Sequence, residues 1–299
     1  MREADVKACV LLVFLATSSF GYPPALPGAE LGRSIDSVIA NVHGNFAIAF
    51  KDLRSGKSFY RNADRRFHAA STIKTAVMIE VFNQVRTGKF RLEDSLEVVN
   101  RFLSLVDGSP YSLDRASDSD DSLYSLLGSK VTIRKLVDDM ITVSSNLAAD
   151  LLINLVGPRN VRRTMVKMGA GEVRVIRGVQ DTRAYELGRN NTVTARSLAV
   201  MFEQLALRRA VSRKASSTML QILLEQKFNS MIPAQLPRDV KVAHKTGSSE
   251  GIQHDSGIVY LPDGRKYVLV VLSSDLYDAR SGITSIAKIS KIIYDYEAR

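Results

Sequence analysis

The central half of the chain, from about residue 71 to residue 226, carries apolar residues at the i, i+3, i+4 spacing of amphipathic helices. Thr132 and Thr194 precede two of these segments as N-caps, and Gly157 and Gly169 follow two others as stops. The pattern predicts helices over residues 72–85, 132–142, 147–156, 161–168, 194–207 and 212–226.

The two ends of the body show strand patterns instead. Predicted strands cover residues 46–50, 58–61, 240–246, 256–261 and 266–273, and a last helix covers residues 282–297. Pro262-Asp263-Gly264 predicts a hairpin turn. We therefore predict an α/β fold, in which one antiparallel sheet formed from both termini is flanked by helices and an all-α subdomain is inserted.

Ser71 and Lys74 stand at the start of the first predicted helix, where a three-residue spacing places them on one face. A lysine amine there can take the serine proton, and the alkoxide can then attack a carbonyl carbon. The helix N-terminus adds free N–H groups and a partial positive charge, which favour a developing anion. Ser285 and Lys288 repeat the spacing inside the last helix, so the spacing alone is not specific.

Two further motifs follow Ser71 in order. They are Ser144-Ser145-Asn146, within the apolar flanks of residues 140–152, and Lys245-Thr246-Gly247, on a predicted strand. With Ser71 and Lys74 they match the trio S-x-x-K, S-D-N and K-T-G. Along nearly its whole mature length the chain resembles class A β-lactamases and penicillin-binding proteins, although Ser145 stands where the family usually has Asp.

The resemblance implies acyl transfer or hydrolysis at a serine. Ser71 would be the nucleophile, Lys74 its base or part of the proton relay, and Ser144 the group that passes a proton to the leaving nitrogen. The remaining residues would bind substrate: Asn146 its amide, Lys245 and Thr246 its carboxylate, with Gly247 leaving room for the backbone and the N–H groups of Ser71 and Ser248 forming an oxyanion hole.

The chain departs from the family in the loop before Thr192. In class A enzymes this loop carries a Glu that activates the deacylating water. We place Gln180 at or beside that position, and an amide cannot act as a general base. Asp181 and Glu186 are the nearest carboxylates that could substitute. We therefore expect complete acylation chemistry and slow deacylation.

Residues 107–122 are rich in Ser and Asp and predict an exposed loop. The family resemblance implies that this loop lies at the rim of the site, with Tyr111 as a candidate substrate contact. A competing motif, G-x-S-x-G at residues 247–251, would need a helix directly after Ser249, whereas strand-like sequence follows. The histidines are dispersed, so we predict neither a metal site nor a cofactor; they are His43, His68, His244 and His254.

The N-terminal segment has a polar start and a short apolar run over residues 8–20, which predict a signal peptide over residues 1–21. A linker over residues 22–30 and a catalytic domain over residues 31–299 would follow. We assign residues 31–70 and 227–299 to its α/β part and residues 71–226 to its helical part. Cys9 is the single cysteine, so we expect neither a disulfide nor a cysteine nucleophile in the domain.

The composition and charge of the chain bear on whether it binds nucleic acid. Net charge is +10, but the basic residues are scattered and the chain has no Trp, so nucleic acid is not expected as a partner.

We predict a monomer that is periplasmic or extracellular and has no membrane span after signal removal. It would open β-lactams through an acyl-enzyme. The alternatives are a D-Ala-D-Ala carboxypeptidase or transpeptidase acting on peptidoglycan, and a sensor or scaffold that is acylated once.

Overall fold

The computed structural model describes residues 27–298. The α-helices in this part of the chain are α1 (Pro27–Ile39), α2 (Lys74–Arg86), α3 (Ile133–Thr142), α4 (Asn146–Val156), α5 (Pro158–Lys167), α6 (Thr182–Glu186), α7 (Ala195–Ala206), α8 (Arg213–Leu224) and α9 (Ala279–Glu297). The strands are β1 (Asn45–Asp52), β2 (Ser58–Arg61), β3 (Phe67–His68), β4 (Ser95–Glu97), β5 (Phe102–Leu103), β6 (Pro110–Tyr111), β7 (Lys130–Thr132), β8 (Thr192–Val193), β9 (Lys241–Ser249), β10 (Ile252–Tyr260) and β11 (Lys266–Ser274).

The main sheet has the strand order β2-β1-β11-β10-β9, and every neighbouring pair is antiparallel. Successive side chains of β1 alternate between its two faces. Phe46, Ile48 and Phe50 pack into a core cluster with α1 and α9, whereas Ala47 and Ala49 belong to the cluster of the helical part. The predicted fold class is confirmed, since both ends of the chain build this sheet.

Helix α1 was not predicted, and the linker assignment was wrong for residues 27–30, which it includes. Leu31 and Ile35 are one helical turn apart, are almost fully buried, and belong to the core cluster that contains residues of α9. Burying this apolar stripe fixes the helix. The predicted signal peptide and the rest of the linker lie outside the described residues, and the division of the domain at residues 70 and 227 stays a prediction.

The predicted helices and strands of the body are present, and their ends lie within a few residues of the predicted positions. Thr132 and Thr194 cap α3 and α7, because their hydroxyls accept hydrogen bonds from the N–H groups of Lys135 and Ser197. The segment after Ser249 is a turn leading into β10. The strand–turn–helix geometry of a nucleophile elbow is therefore absent there.

Helix α2 lies in the middle of the helical part and contacts α3, α4, α5 and α8. Ten of its thirteen residues are buried, including Lys74 at its first position. A helix buried on all sides is apolar all round, so a lysine at its start is an exception. The surroundings of this amine define the candidate site.

Candidate active site

A cleft of about 570 Å³ contains side chains from both parts of the domain. Ser71, Asn146 and Ser248 line it. Two loops complete the lining: residues 107–122, here called the rim loop, contribute Ser112, Asp114 and Ser117, and residues 177–191, here called the pocket loop, contribute Arg177, Val179, Gln180, Asp181, Thr182, Tyr185 and Asn191.

Ser71 belongs to a 3-10 turn, Ala70–Ile73, that leads directly into α2. Ala70 has φ of 43°, a left-handed conformation that a non-glycine residue adopts at some cost in energy. The turn leaves Ser71 partly exposed in the cleft, whereas Lys74 is fully buried behind it. The two residues of the first motif therefore differ in environment, with the hydroxyl facing solvent and the amine out of water.

Three acceptors surround the Lys74 amine. Its Nζ donates to Ser144 O at 2.6 Å, to Ser144 Oγ at 3.2 Å and to Asn146 Oδ1 at 2.8 Å. An ammonium has three N–H groups, so these contacts use all of them, and Ser71 Oγ is not among the partners. Taking a proton from Ser71 requires the neutral amine, which has a lone pair in place of one N–H.

The site shifts the amine toward that neutral form. Burial lowers the pKa of Lys74 from 10.5 to about 8, although the carboxylates of Asp118 and Asp150 act in the opposite direction. A pKa near 8 leaves a useful fraction of the amine neutral at physiological pH, which is the property that a general base needs.

Lys245 reaches the same hydroxyl from β9. Its Nζ donates to Ser144 Oγ at 3.0 Å and to Thr246 O at 3.0 Å, and it is fully buried. Burial and the neighbouring Lys74 both lower the pKa of Lys245, while Asp255 opposes them. Ser144 Oγ thus lies between two buried amines and can exchange protons with either.

The turn that carries Ser144 is strained. Ser144 has φ of 60°, a left-handed conformation that non-glycine residues keep only when surrounding contacts hold it. Ser145, which stands where the family usually has Asp, caps α4 by accepting from the N–H of Ala148 at 3.3 Å. This capping hydrogen bond fixes the start of α4, on which Asn146 is the first residue.

Gly247 brings the β9 backbone against the nucleophile. A Cβ built at Gly247 would lie 3.1 Å from the backbone N of Ser71 and 3.2 Å from Thr72 Cγ2. Any side chain there would have to push the 3-10 turn away. The close approach puts the next residue, Ser248, beside Ser71, as an oxyanion hole shared by their two N–H groups requires.

The pocket loop is closed by Arg177, which is buried. Its guanidinium donates to the carbonyls of Gly178, Val179 and Arg189 at 2.8, 2.9 and 3.1 Å, so one side chain ties both ends of the loop. Asn191 adds a second tie by accepting from the N–H of Arg177 at 3.1 Å. The loop is therefore a folded wall of the cleft.

Of the two carboxylates proposed as deacylating bases, Asp181 lines the cleft and Glu186 does not. Asp181 is buried, and its two oxygens already accept from Ser104 Oγ, Leu105 N and Ala184 N. Glu186 is exposed at the end of α6 and does not line the cleft. Asp181 therefore holds the loop together, whereas Glu186 faces solvent.

Gln180 lines the cleft, and its amide joins the two loops. Its Oε1 accepts from Asp114 N at 3.2 Å and its Nε2 donates to Ser117 Oγ at 3.2 Å. Among the described residues that line the cleft, the remaining carboxylate is Asp114, which caps a 3-10 turn at the exposed rim. The neighbouring positions 179 and 180 line the cleft with the neutral side chains of Val and Gln.

Tyr111 is not among the described residues that line the cleft, and its role as a substrate contact stays a prediction. Its OH donates to Asp150 Oδ2 at 2.9 Å, while the backbone N–H of Val179 donates to Asp150 Oδ1 at 2.6 Å. A Cβ at Gly178 would lie 2.0 Å from the Tyr111 hydroxyl, so glycine is required there. Asp150 thereby fastens both the rim loop and the pocket loop to α4.

Asp150 is the functional neighbour that sequence analysis missed, although a signal was present. It follows Asn146 by four residues on α4, and this spacing places both side chains on one face. Asp118 of the rim loop has no comparable signal in the sequence, because Asn146 and Leu147, which it contacts, lie far away along the chain.

Burial raises the pKa of Asp150 from 3.8 to about 6, although its hydrogen bonds from Val179 and Tyr111 and the charge of Lys74 oppose the shift. Since the folded pKa lies above the unfolded one, the folded state binds more protons between these values. The resulting stability is present below the unfolded pKa and is lost as pH rises through about 6.

We expect Asp150→Asn, which cannot titrate, to gain stability relative to wild type as pH rises. The gain in free energy of unfolding between about pH 4 and pH 7.5 should be on the order of 2–3 kcal/mol. Denaturant unfolding of both proteins at the two pH values measures it. Asp239→Asn changes an exposed carboxylate and serves as the control. A difference between wild type and Asp150→Asn that is independent of pH would contradict this assignment.

No group of three or more His, Cys, Asp or Glu side chains within residues 27–298 is arranged to hold a metal ion. In the same part of the chain, no helix has both the length and the apolar character needed to cross a bilayer.

The class of this protein follows from its architecture and its site. An antiparallel sheet is built from both termini and carries a helical insertion, and a serine and two buried lysines lie at their junction. These features define the serine hydrolases that include β-lactamases and penicillin-binding proteins. The family comparison agrees. The model of the beta-lactamase enzyme family matches residues 30–297, and the chain belongs to this family.

Two characterised relatives cover most of the chain. The extended-spectrum β-lactamase PER-1 of Pseudomonas aeruginosa is 24% identical over 308 aligned positions, which cover 99% of this chain and 96% of PER-1. A β-lactamase of Bacillus licheniformis is 27% identical over 274 positions, covering 89% and 81% of the two chains.

Solved structures show the same fold. The β-lactamase from Sphaerobacter thermophilus has a TM-score of 0.76 at 27% identity and covers 90% of this chain and 97% of its own. PBP-A has a TM-score of 0.77 at 24% identity and covers 92% and 98% of the two chains, a likeness of fold.

Proposed function

We propose that this protein is a serine hydrolase that opens β-lactams through an acyl-enzyme on Ser71 and deacylates slowly. The observation that carries the proposal is an asymmetry of the cleft. Two buried amines surround Ser144, and one of them, Lys74, follows Ser71 at the start of α2, an arrangement that would serve acylation, whereas positions 179 and 180 of the pocket loop present Val and Gln. Membership of the family and the relatives named as β-lactamases support the substrate class.

Acylation would begin with proton transfer from Ser71 Oγ to the neutral Lys74 amine. The alkoxide attacks the lactam carbonyl, and the N–H groups of Ser71 and Ser248 stabilise the oxyanion. The C–N bond then breaks, and Ser144 Oγ passes a proton to the nitrogen as it receives one from Lys74. The distance of 3.2 Å between Lys74 Nζ and Ser144 Oγ is suitable for that relay.

Lys245 would bind the substrate carboxylate. Its pKa is lowered in the free protein because it is buried beside another amine, and an arriving carboxylate favours its charged form. Substrate binding would thereby couple to protonation of Lys245. Thr246, adjacent on β9 and also buried, is positioned as its partner for the same group.

Deacylation needs a base that activates water, and a positioned base contributes about 10²–10⁴ in rate. Among the described cleft residues, Asp181 is fully engaged in holding the loop and Asp114 lies at the rim. Slow hydrolysis of the acyl-enzyme is the consequence. The same feature suits the alternative function, a D-Ala-D-Ala carboxypeptidase or transpeptidase that uses β-lactams only as inhibitors.

Stopped-flow measurement with a chromogenic cephalosporin tests the proposal. We expect a burst equal to the enzyme concentration and then turnover slower by at least about tenfold. A burst with no later turnover, together with hydrolysis of a peptide ending in D-Ala-D-Ala, would favour the alternative. A burst with neither activity would identify a protein that is acylated once, as a sensor or scaffold.

We further propose that the chain is secreted. The N-terminal pattern over residues 1–21 supports this proposal, since β-lactams and peptidoglycan are encountered outside the cytoplasm.

A further inference from the structure

The rim loop contributes one carboxylate, that of Asp118, which contacts the turn over residues 144–146 at the start of α4. Asp118 Oδ1 accepts from the backbone N–H of Asn146 at 2.8 Å, and Asp118 Oδ2 accepts from that of Leu147 at 3.0 Å. These are the first two residues of α4, whose N–H groups have no partner inside the helix. A negative charge there also interacts favourably with the helix dipole.

The contact fixes a strained segment. Ser144 is left-handed, and Ser145 spends its hydroxyl on the N–H of Ala148, so the amides of residues 146 and 147 need an acceptor from elsewhere. Asp118 supplies both bonds at once and is itself held by Tyr124, whose OH donates to Oδ2 at 3.1 Å. Such a double hydrogen bond from one carboxylate restricts the turn in position and in orientation.

The turn is the part of the protein that holds Lys74. All three hydrogen-bond acceptors of Lys74 Nζ are atoms of Ser144 and Asn146. The charge of Asp118 also reaches the amine: it is the largest influence that raises the pKa of Lys74 against burial, ahead of Asp150. Lys245 is the cation that faces Lys74 from β9.

We propose that Asp118 is a positioning residue for acylation, which holds the 144–146 turn in its reactive geometry and links the conformation of the rim loop to the Ser71–Lys74 pair. The inference rests on the proposed function for its kinetic consequence, but its effect on Lys74 is independent of substrate. Because the rim loop also lines the cleft through Ser112, Asp114 and Ser117, a substrate that orders this loop would strengthen the same contact.

Asp118→Asn tests the proposal, with Asp120→Asn as the matched control. Asp120 lies two residues away in the same loop and is equally half-buried; its carboxylate accepts only from Ser122, and only its backbone N–H, which the substitution keeps, contacts Asp118, at 3.4 Å from Oδ1. Both variants remove one negative charge from one loop. Thermal unfolding of the two variants and wild type establishes that the comparison is made between folded proteins.

The first measurement is the pKa of Lys74, from the pH dependence of its Cε chemical shift in protein labelled at lysine. Removing the carboxylate removes an influence that raises this pKa, so Asp118→Asn should lower it by about half a pH unit or more, whereas Asp120→Asn should leave it within error. Amide exchange of Asn146 and Leu147 should accelerate in Asp118→Asn alone, since their acceptor is weakened.

The second measurement is the burst rate constant with a chromogenic cephalosporin across pH. Its acid limb should move to lower pH with the Lys74 pKa, and its plateau should fall by about tenfold as the turn loses its fixed geometry. An unchanged Lys74 pKa overturns the inference, and so does an unchanged plateau when wild type shows a burst. If wild type shows no burst, the proposed function fails, and the Lys74 pKa alone decides on Asp118.

Discussion

Replacement of Ser71 by alanine is expected to abolish the covalent adduct that wild type forms with a penicillin. The change removes only the Oγ that lies in the cleft, while the buried network of Lys74, Ser144 and Lys245 keeps its contacts. Loss of a nucleophile typically lowers the rate by orders of magnitude, here by at least about 10³-fold in the burst rate constant. Intact-mass spectrometry after brief exposure to the penicillin detects the adduct directly.

The matched control is Ser285→Ala. Ser285 stands three residues before Lys288, so it repeats the spacing of the first motif, but it is a buried residue of α9 outside the cleft. Its replacement should leave the adduct intact. An adduct of the same mass that persists in Ser71→Ala would show that another side chain is acylated, and the assignment of the nucleophile would be wrong.

Introducing a carboxylate into the pocket loop is expected to speed deacylation by about 10²-fold or more. Gln180→Glu is the first choice, because a glutamate there keeps the acceptor for Asp114 N and can accept from Ser117 Oγ. Val179→Glu is the companion variant, at a neighbouring cleft position whose backbone Asp150 holds. Steady-state turnover of the chromogenic cephalosporin should rise while the burst rate constant stays within about twofold.

Three further variants test whether a carboxylate already present in the protein is the deacylating base: Asp181→Asn, Glu186→Gln and Asp114→Asn. None should change the chemistry of deacylation, although Asp181→Asn removes contacts of the loop and lowers stability. If wild type turns over rapidly without a burst, and one of these three variants abolishes turnover, that carboxylate is the base, and the proposed slow deacylation is incorrect.

The sequence was sufficient for the fold class because the signals were local. The helices 133–142 and 195–206 begin at capping threonines, and the hairpin between β10 and β11 contains Pro262-Asp263-Gly264. Apolar periodicity decides which side of each element is buried, and short-range chemistry decides where the element ends. The helix over residues 27–39 was not predicted, because Pro and Gly near its start suggested a linker.

The motif residues were likewise visible, because the chemistry needs particular residue types in a fixed order. Ser144 and Lys245 do meet in the structure, with Ser144 Oγ 3.0 Å from Lys245 Nζ, and Ser71 lines the cleft together with Asn146 and Ser248. Sequence order alone could not show that Lys74 uses all its hydrogen bonds on residues 144–146 and none on Ser71. That arrangement depends on how α2 and α4 pack.

Only the tertiary structure showed which carboxylates are buried and which groups each of them contacts. Asp181 and Glu186 differ little as sequence, yet one is buried with three donors and the other is exposed. Asp150 and Asp118 were not candidates, yet they hold the loops and the turn around the amine. The sequence by itself determined which reactive groups are present and the elements that carry them. Burial and hydrogen-bond partners set the charge state and the role of each acid, and these depend on contacts between segments far apart in the chain.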